Sequence, residues 1–240
     1  MGRKDFTGEK TIHTGVLSIV ATPIGNLEDI TLRAIRTLKE AGYILCEDTR
    51  VSGKLLKHYE IDTKMKRYDA HTSEKVHEDV MADLAEGKHV ALVSDAGTPG
   101  VSDPGVLLVA RAREAGVRID TIPGPSAVTA AFSIAGIAGN QFTFLGFAPQ
   151  KKGRETFFRE LVESDVPTIF FESTHRIMKT LQHLSELVTS KNIVIGRELT
   201  KMHEEVVRGS AGEVLRYFEE NPEHQRGEFV VIVAEESNAL

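Results

Sequence analysis

The sequence predicts an α/β protein with largely parallel sheets, because strand-like and helical patterns alternate along the chain. Short apolar segments with strand character span residues 16–21, 43–46, 90–93, 118–122, 142–145, 168–171, 193–195 and 229–234. Helical patterns occupy residues 29–40, 74–86, 105–115, 127–135, 154–163, 175–187 and 213–219. With 240 residues, of which 41% are hydrophobic, the chain can bury a sizeable core.

A stiff turn predicts a boundary between two α/β domains of similar size. Pro123 and Pro125 flank Gly124 directly after a predicted strand, and small, helix-compatible residues follow. We therefore expect an extension over residues 1–13, an N-terminal domain over residues 14–124 and a C-terminal domain over residues 125–240. A cleft between two domains is a favoured place for a ligand or cofactor. One continuous sheet is the alternative.

The composition limits the class of protein. The formal net charge of −6 excludes a global basic surface, so nucleic-acid binding would need a local patch. Cys46 is the only cysteine, which excludes a disulfide framework and a cysteine-rich zinc site, and we expect no metal. The polar start is unlike a signal peptide, and no apolar stretch approaches 18 residues. These features predict a cytoplasmic protein that does not contact a membrane.

The loop at residues 94–105 carries the strongest functional signal. It follows a predicted strand and contains three glycines, two prolines and two aspartates. Asp103 suits the cap of the next helix, and Pro104 suits the first helical position. Glycine lets a ligand approach the backbone, and open α/β sheets bind small molecules at the carboxyl ends of their strands. We predict a small-molecule site here. The alternative is a turn that only connects the strand to the next helix.

Polar residues also follow the first two predicted strands. Residues 22–26 (T-P-I-G-N) turn the chain sharply, but a G-x-G-x-x-G pattern and a Walker lysine are absent from the sequence. This disfavours a nicotinamide-binding Rossmann enzyme and a P-loop NTPase. After the second strand, a carboxylate of Glu47 or Asp48 could accept a proton, and Arg50 could hold a phosphate. The alternatives are a plain turn and a helix cap with a surface ion pair.

Several cationic and histidine side chains are candidates for contact with a polyanion. Lys151, Lys152 and Arg154 form a basic loop before a predicted helix, a pattern that can follow a phosphate backbone. Residues 171–176 and 196–205 place further polar clusters after predicted strands. His71 could serve in proton transfer or RNA contact. Solvated surface and helix caps are the alternatives for these residues.

Eight ordered segments resemble one known family. They read T-P-I-G-N-L-x-D-I-T, E-D-T-R, V-S-D-A-G-T-P-x-x-x-D-P-G, P-G-P, G-F-x-P, E-S-T-H-R, R-E-L-T-K and G-E-F-V, and the match runs from residue 17 to residue 234. The set resembles the bacterial ribosomal RNA small-subunit methyltransferase I family of the tetrapyrrole methylase superfamily. The resemblance implies two α/β domains, commonly a homodimer, with S-adenosylmethionine in the cleft. It also implies methylation of a cytidine ribose 2′-hydroxyl in 16S rRNA of the small ribosomal subunit.

The resemblance also implies roles for individual residues. Those expected to contact the cofactor, largely through backbone groups, are Pro23, Gly25, Asn26, Asp95, Gly97, Thr98, Val101, Ser126 and Ala127. Those expected to lie nearer the RNA are Glu47, His175, Arg176, Arg197 and Lys201, and the basic loop and His71 join them. We expect Asp48 to act as the base, with Asp95 as its competitor, and Arg50 to place a phosphate.

Two other functions stay open as alternatives. One is C-methylation of a tetrapyrrole such as a corrinoid precursor, and the other is RNA binding without catalysis. The basic loop, E-S-T-H-R and R-E-L-T-K favour RNA over a tetrapyrrole, and the complete V-S-D-A-G-T-P loop argues against a module that only binds. The chain departs from the family where Asp69-Ala70-His71-Thr72 replaces the usual His-x-His-Asn pattern, which weakens a catalytic role for that loop.

Overall fold

The computed structural model describes residues 15–102 and 105–235. The predicted extension over residues 1–13, and the predicted helix cap at Asp103 with Pro104, lie outside this part of the chain. The chain divides into two compact units, each with its own sheet: unit 1 comprises residues 1–23 and 27–125, and unit 2 comprises residues 24–26 and 126–240. The described residues therefore do not form one continuous sheet. None of their helices is long and apolar enough to cross a membrane.

Unit 1 is a parallel sheet covered by helices on both faces. Its elements in chain order are β1 (Val16–Val20), α1 (Leu32–Glu40), β2 (Tyr43–Cys46), α2 (Thr49–His58), β3 (Met65–Arg67), α3 (Glu74–Ala85), β4 (His89–Leu92), α4 (Val106–Glu114) and β5 (Arg118–Ile122). The strand order is β3-β2-β4-β1-β5, and all neighbouring strands are parallel. A 3₁₀ turn at Leu27–Asp29 precedes α1.

Alternating strand residues build two cores, one on each face of this sheet. Ile44 and Ala91 pack with α1 and α2, whereas Leu45 and Leu92 pack with α3 and α4. This division follows from the period of two in a β-strand. Since the strands are parallel, the carboxyl ends of β2, β4 and β1 lie side by side at one edge of the sheet.

Unit 2 contains a mixed sheet. Its elements in chain order are α5 (Ala127–Ile134), β6 (Thr143–Phe147), α6 (Arg154–Glu163), β7 (Thr168–Ser173), α7 (Ile177–Leu187), β8 (Lys191–Arg197), β9 (Glu205–Ser210), α8 (Ala211–Glu220) and β10 (Glu228–Glu235). The strand order is β6-β7-β10-β8-β9. Helices α6, α7 and α8 pack on one face of this sheet, and α5 packs on the other.

The prediction of largely parallel sheets is wrong for unit 2, where only β6 and β7 among the described strands are parallel neighbours. A loop at residues 198–204, rather than a crossover helix, joins β8 to β9, and so short a connection makes the two strands antiparallel. β10 then lies between β7 and β8 and is antiparallel to both. The sequence prediction missed β9, α2 and β3 because charged residues interrupt their apolar patterns.

Candidate functional site

The loop after β4 is held against the end of β1 in unit 1. Thr22 and Gly97 exchange two backbone hydrogen bonds, with N···O distances of 2.9 and 3.0 Å. The buried Thr22 hydroxyl also donates to the carbonyl oxygen of Ser94 at 3.1 Å. Gly97 has a φ of +77°, in the left-handed region that favours glycine. Residues 94–97, which we call the ledge, are thus held in a fixed conformation at the carboxyl edge of the sheet.

Four carboxylates lie near one another at this edge. Asp95 Oδ1 accepts a hydrogen bond from the backbone N–H of Asp48 at 3.1 Å, which joins the end of β4 to the end of β2. Burial, and then the negative charges of Asp95, Asp69 and Asp48, raise the pKa of the half-buried Glu47 carboxyl. Desolvation and like charges both disfavour the ionised form. Glu47 is therefore better suited to accept a proton than an ordinary surface glutamate.

Asp48 and Arg50 bind each other. The Asp48 carboxylate caps α2 by accepting from the backbone N–H of Arg50 at 2.8 Å, and the Arg50 guanidinium donates to both of its oxygens at 2.6–3.2 Å. These hydrogen bonds from Arg50 lower the pKa of Asp48 to about 2. A carboxylate with so low a pKa is a poor proton acceptor near neutral pH. The geometry weighs against Asp48 as the base and matches the alternative of a helix cap with a surface ion pair.

The other predicted site residues of unit 1 lie close to its surface. The Val101 side chain is exposed, and its backbone N–H donates to the carbonyl oxygen of Thr98 at 3.3 Å. Pro23 is half-buried. His71 is exposed, and its backbone N–H donates to Asp69 at 2.8 Å. In the part of the chain that the structure describes, no group of three or more His, Cys, Asp or Glu side chains is arranged to hold a metal ion.

In unit 2, Gly25 lies against the segment that follows β8. A Cβ at Gly25 would lie 2.5 Å from Lys201 Cγ, 2.7 Å from Thr200 Oγ1 and 2.8 Å from the carbonyl oxygen of Leu199. These separations leave no room for a side chain, so the close approach requires glycine. The next residue, Asn26, is exposed.

Ser126 and Ala127 stand at the start of α5. Ser126 occupies the N-cap position, but its side chain makes no capping hydrogen bond. Its carbonyl oxygen accepts from the backbone N–H of Ala130 at 2.9 Å. Ala127 is half-buried. The first N–H groups of a helix lack partners within the helix, so this helix start offers donors together with a hydroxyl.

Carboxylates hold Lys201 and Arg197, which were both expected to lie near RNA. Lys201 Nζ donates to Glu198 at 2.9 Å and lies 3.1 Å from a Glu228 carboxylate oxygen. Burial opposes the charge of Lys201, but its hydrogen bonds to Glu198 and Glu228 raise its pKa overall. Arg197 is buried, donates to a backbone carbonyl at 2.7 Å and lies 3.5 Å from Glu205. These partners weigh against direct contact between Arg197 and RNA.

Two arginines hold the start of the basic loop, which spans residues 148–153 between β6 and α6. Arg176 donates to the carbonyl oxygen of Ala148 at 2.7 Å and to the fully buried carboxylate of Glu172 at 2.8 Å. Arg154 donates to the carbonyl oxygen of Pro149 at 3.0 Å. Contacts inside unit 2 thus occupy both of these arginines, which, like Arg197, were expected to lie near RNA.

Lys151, Lys152 and His175 differ from these arginines because they are exposed. None of the three forms an ion pair with another residue in the described part of the chain. Lysines presented in this way are free to neutralise phosphate charges on a polyanion. The basic loop is therefore anchored at Ala148 and Pro149 and presents exposed lysines directly after them.

Comparison with known proteins identifies the family. The family model of Tetrapyrrole (Corrin/Porphyrin) Methylases matches residues 16–215. The chain is 41% identical over 220 residues to Ribosomal RNA small subunit methyltransferase I of Thermotoga maritima, a match that covers 92% of this chain and 98% of that protein. Proteins of the same name from Halalkalibacterium halodurans and Escherichia coli O157:H7 are 44% and 42% identical, over 91% of this chain and 75% and 77% of theirs. The chain belongs to the ribosomal RNA small subunit methyltransferase I family of tetrapyrrole methylases. The resemblance seen in the sequence is confirmed.

Solved structures confirm the α/β fold class of this methyltransferase. The methyltransferase CobJ matches with a TM-score of 0.68 at 21% identity, over 92% of this chain and 95% of that chain. Cobalt precorrin-4 methyltransferase matches with a TM-score of 0.64 at 17% identity, again over 92% and 95% of the two chains. Similarity at these identities shows the fold alone.

Sequence reasoning missed three residues that shape this methyltransferase. Thr22 fixes the ledge, Asp69 adds negative charge near Glu47, and Glu172 anchors Arg176. Thr22 and Glu172 stand inside segments that carry the family resemblance. Both are polar residues at the end of an apolar strand, where a buried side chain needs a hydrogen-bond partner. That pattern is the signal that could have identified them.

Proposed function

We propose that this methyltransferase transfers a methyl group from S-adenosylmethionine to the 2′-hydroxyl of a cytidine ribose in 16S rRNA of the small ribosomal subunit. The observation that carries the proposal is the 41% identity to Ribosomal RNA small subunit methyltransferase I of Thermotoga maritima over 98% of that protein. A 2′-hydroxyl target would also select RNA, because DNA lacks this group. The tetrapyrrole alternative is supported by the general name of the matching family model and by fold neighbours such as cobalt precorrin-4 methyltransferase, which is 17% identical.

The ledge and the carboxylates of unit 1 fit S-adenosylmethionine. Within the described residues, Asp95 accepts only the hydrogen bond from Asp48, so it retains acceptor sites for a ribose hydroxyl or an ammonium group. The backbone at Gly97 allows a ligand to approach closely. The negative charges at this edge favour a cationic ligand. When bound, S-adenosylmethionine supplies an electrophilic methyl group on a positively charged sulfur.

The negative charges at the edge of unit 1 make it a poor site for the RNA backbone. Carboxylates at the edge of unit 1 repel phosphate groups, whereas Lys151 and Lys152 attract them. We therefore propose that the RNA backbone binds to the basic loop of unit 2, with His175 beside it. Lys201 would add a cation whose position is set by its two glutamate partners.

Glu47 is the proposed proton acceptor for the ribose hydroxyl. Its raised pKa suits a group that takes up a proton, whereas Asp48 is held ionised by Arg50. Asp48 and Arg50 would instead set the start of α2 and hence the position of Glu47. Orientation of reactants contributes about 7–11 kcal/mol in well-ordered systems, and Asp48 and Arg50 would supply a part of it by positioning the acceptor.

Product mapping tests the proposed function. The protein is incubated with radiolabelled S-adenosylmethionine and small ribosomal subunits that lack the modification, and the rRNA is digested to nucleosides. Label in 2′-O-methylcytidine is the expected result. Label on a base, or unlabelled rRNA together with a labelled tetrapyrrole in a parallel reaction, would overturn the proposal.

The oligomeric state is a separate proposal. The family resemblance implies a homodimer, and light scattering of the purified protein measures the mass directly. A mass of about 53 kDa, twice that of the 26.4 kDa chain, is expected. A mass equal to that of one chain at the concentrations used for activity would refute the dimer.

A further inference from the structure

A β-bulge in unit 2 changes the direction of one aromatic side chain. Phe144 of β6 pairs with Ile169 of β7, and Phe147 pairs with Phe171, so three residue steps on β6 oppose two on β7. Gly146 lies inside this irregularity and has a φ of +68°, which other residues rarely adopt. A bulge of this kind shifts the side chains that follow it to the other face of the sheet.

The shift places Phe147 on the same face as Phe144 and Phe171. The ring centroid of Phe171 lies 4.9 Å from that of Phe144 and 5.3 Å from that of Phe147. Strict alternation would put Phe147 on the side of Leu145, which packs against the core beneath α6 and α7. The bulge therefore keeps Phe147 out of that core and adds it to a row of three aromatic rings.

Phe147 ends this row in an exposed position. It is 55% exposed, although a phenylalanine can bury a large apolar area. The basic loop begins at the next residue, and Arg176 and Arg154 hold its backbone at Ala148 and Pro149. An exposed aromatic ring thus lies directly before a fixed loop that presents lysines.

We propose that Phe147 stacks on an unpaired base of the RNA substrate while Lys151 and Lys152 bind its backbone phosphates. This inference rests on the proposed function and deepens it, because it adds recognition of a base to electrostatic binding. Proteins that bind single-stranded RNA combine aromatic rings with a basic surface, since every base has a face that can stack. The lysines make a nucleic acid a better occupant of this surface than an apolar protein segment.

Tryptophan fluorescence tests the inference without any measurement of activity. The chain contains no tryptophan, so a Phe147→Trp variant carries a single indole at the proposed platform. Phe142→Trp is the matched control, because Phe142 is also exposed but packs against Phe132 with ring centroids 4.9 Å apart. Each variant is titrated with a short single-stranded oligoribonucleotide and with an abasic oligomer of the same length.

Quenching of the Phe147→Trp emission by the oligoribonucleotide, with no quenching by the abasic oligomer or in Phe142→Trp, is expected. Phe147→Ala should weaken oligoribonucleotide binding about 5- to 150-fold, whereas Phe147→Tyr should stay close to wild type. Equal quenching by the abasic oligomer, or unchanged affinity in Phe147→Ala, would overturn the stacking role. The stacking role would also be overturned if the wild type were a dimer and Phe147→Ala a monomer. That result would show that Phe147 packs against a second copy of the chain.

Methylation assays separate this inference from the proposed function. Wild-type transfer to 16S rRNA together with an unquenched Phe147→Trp variant would leave the function intact and remove the stacking platform. Base-dependent quenching in a protein that does not methylate rRNA would retain the platform and remove the function.

Discussion

Replacement of Gly25 by alanine is the sharpest test of how unit 2 is packed. The added Cβ would lie 2.5–2.8 Å from atoms of Leu199, Thr200 and Lys201, and the nearest Leu199 atom belongs to the backbone. A flexible side chain can move aside, but this carbonyl oxygen can move only with the segment after β8. Overpacking typically costs 1–3 kcal/mol, and we expect about 2–3 kcal/mol here because three neighbours are affected.

The expected loss corresponds to a fall in Tm of about 4–12 °C, since 1 kcal/mol shifts a chain of this size by about 2–4 °C. Gly212→Ala is the matched control, because a Cβ at that position in α8 meets nothing within 4 Å. Alanine there should raise the Tm slightly, as the unfolded chain loses freedom and the stability gains about 0.4–1 kcal/mol.

The assay is thermal unfolding followed by circular dichroism, with binding of S-adenosylmethionine measured by calorimetry on the same samples. Gly25→Ala should lower both the Tm and the affinity, because Gly25 is one of the proposed cofactor contacts. Gly212→Ala should leave the affinity at the wild-type value. A Gly25→Ala protein with wild-type Tm would refute the argument from close packing, whatever its affinity.

The other predictions concern charges. Glu47→Gln should lower the transfer rate by about 10²–10⁴-fold, and Asp48→Asn should lower it less; the reverse order would restore Asp48 as the base. The pKa of Glu47 is raised in the folded chain, so ionisation of its carboxyl destabilises the fold as the pH rises. Glu47→Gln should therefore raise the Tm at pH 7. Well below pH 4.5, where the carboxyl is protonated in both states, the variant should have the Tm of the wild type. Glu172→Ala removes the buried carboxylate that pairs with Arg176, and should lower the free energy of unfolding, measured by chemical denaturation, by about 3–5 kcal/mol. A loss below about 1 kcal/mol would contradict a stabilising role for this ion pair. The double variant Lys151→Ala, Lys152→Ala should make the slope of log affinity against log salt concentration shallower, by the amount that corresponds to about one to two phosphate contacts. An unchanged slope would exclude both lysines as phosphate contacts.

Much of the fold could be read from local patterns. The strands at residues 16–20, 43–46 and 118–122 were predicted almost to the residue, since apolar runs bounded by turn residues are a local property. The antiparallel pairing of β10 with β7 and β8 could not be read this way. Partners in a sheet are chosen by contacts between segments far apart in the chain, and alternation of strands and helices carries no information about them.

The candidate site shows the same division. The segment V-S-D-A-G-T-P was singled out from its composition and its place after a predicted strand, and the structure shows that it contains the ledge at residues 94–97. The partners of individual charges were not predictable, because they depend on geometry between distant segments. Arg176, for example, donates hydrogen bonds to Glu172 and to the carbonyl oxygen of Ala148. The Asp48 carboxylate likewise accepts from Arg50.

The sequence by itself determined the α/β class, the family resemblance and the strand ends where polar residues gather, because these depend on residue type and spacing. The tertiary structure decided which of those polar residues are available to a ligand. It places Arg197 in the interior, leaves Lys151 and Lys152 exposed, and turns Phe147 outward through a bulge at Gly146. Availability depends on which groups a side chain meets after folding, and only the packed chain specifies those groups.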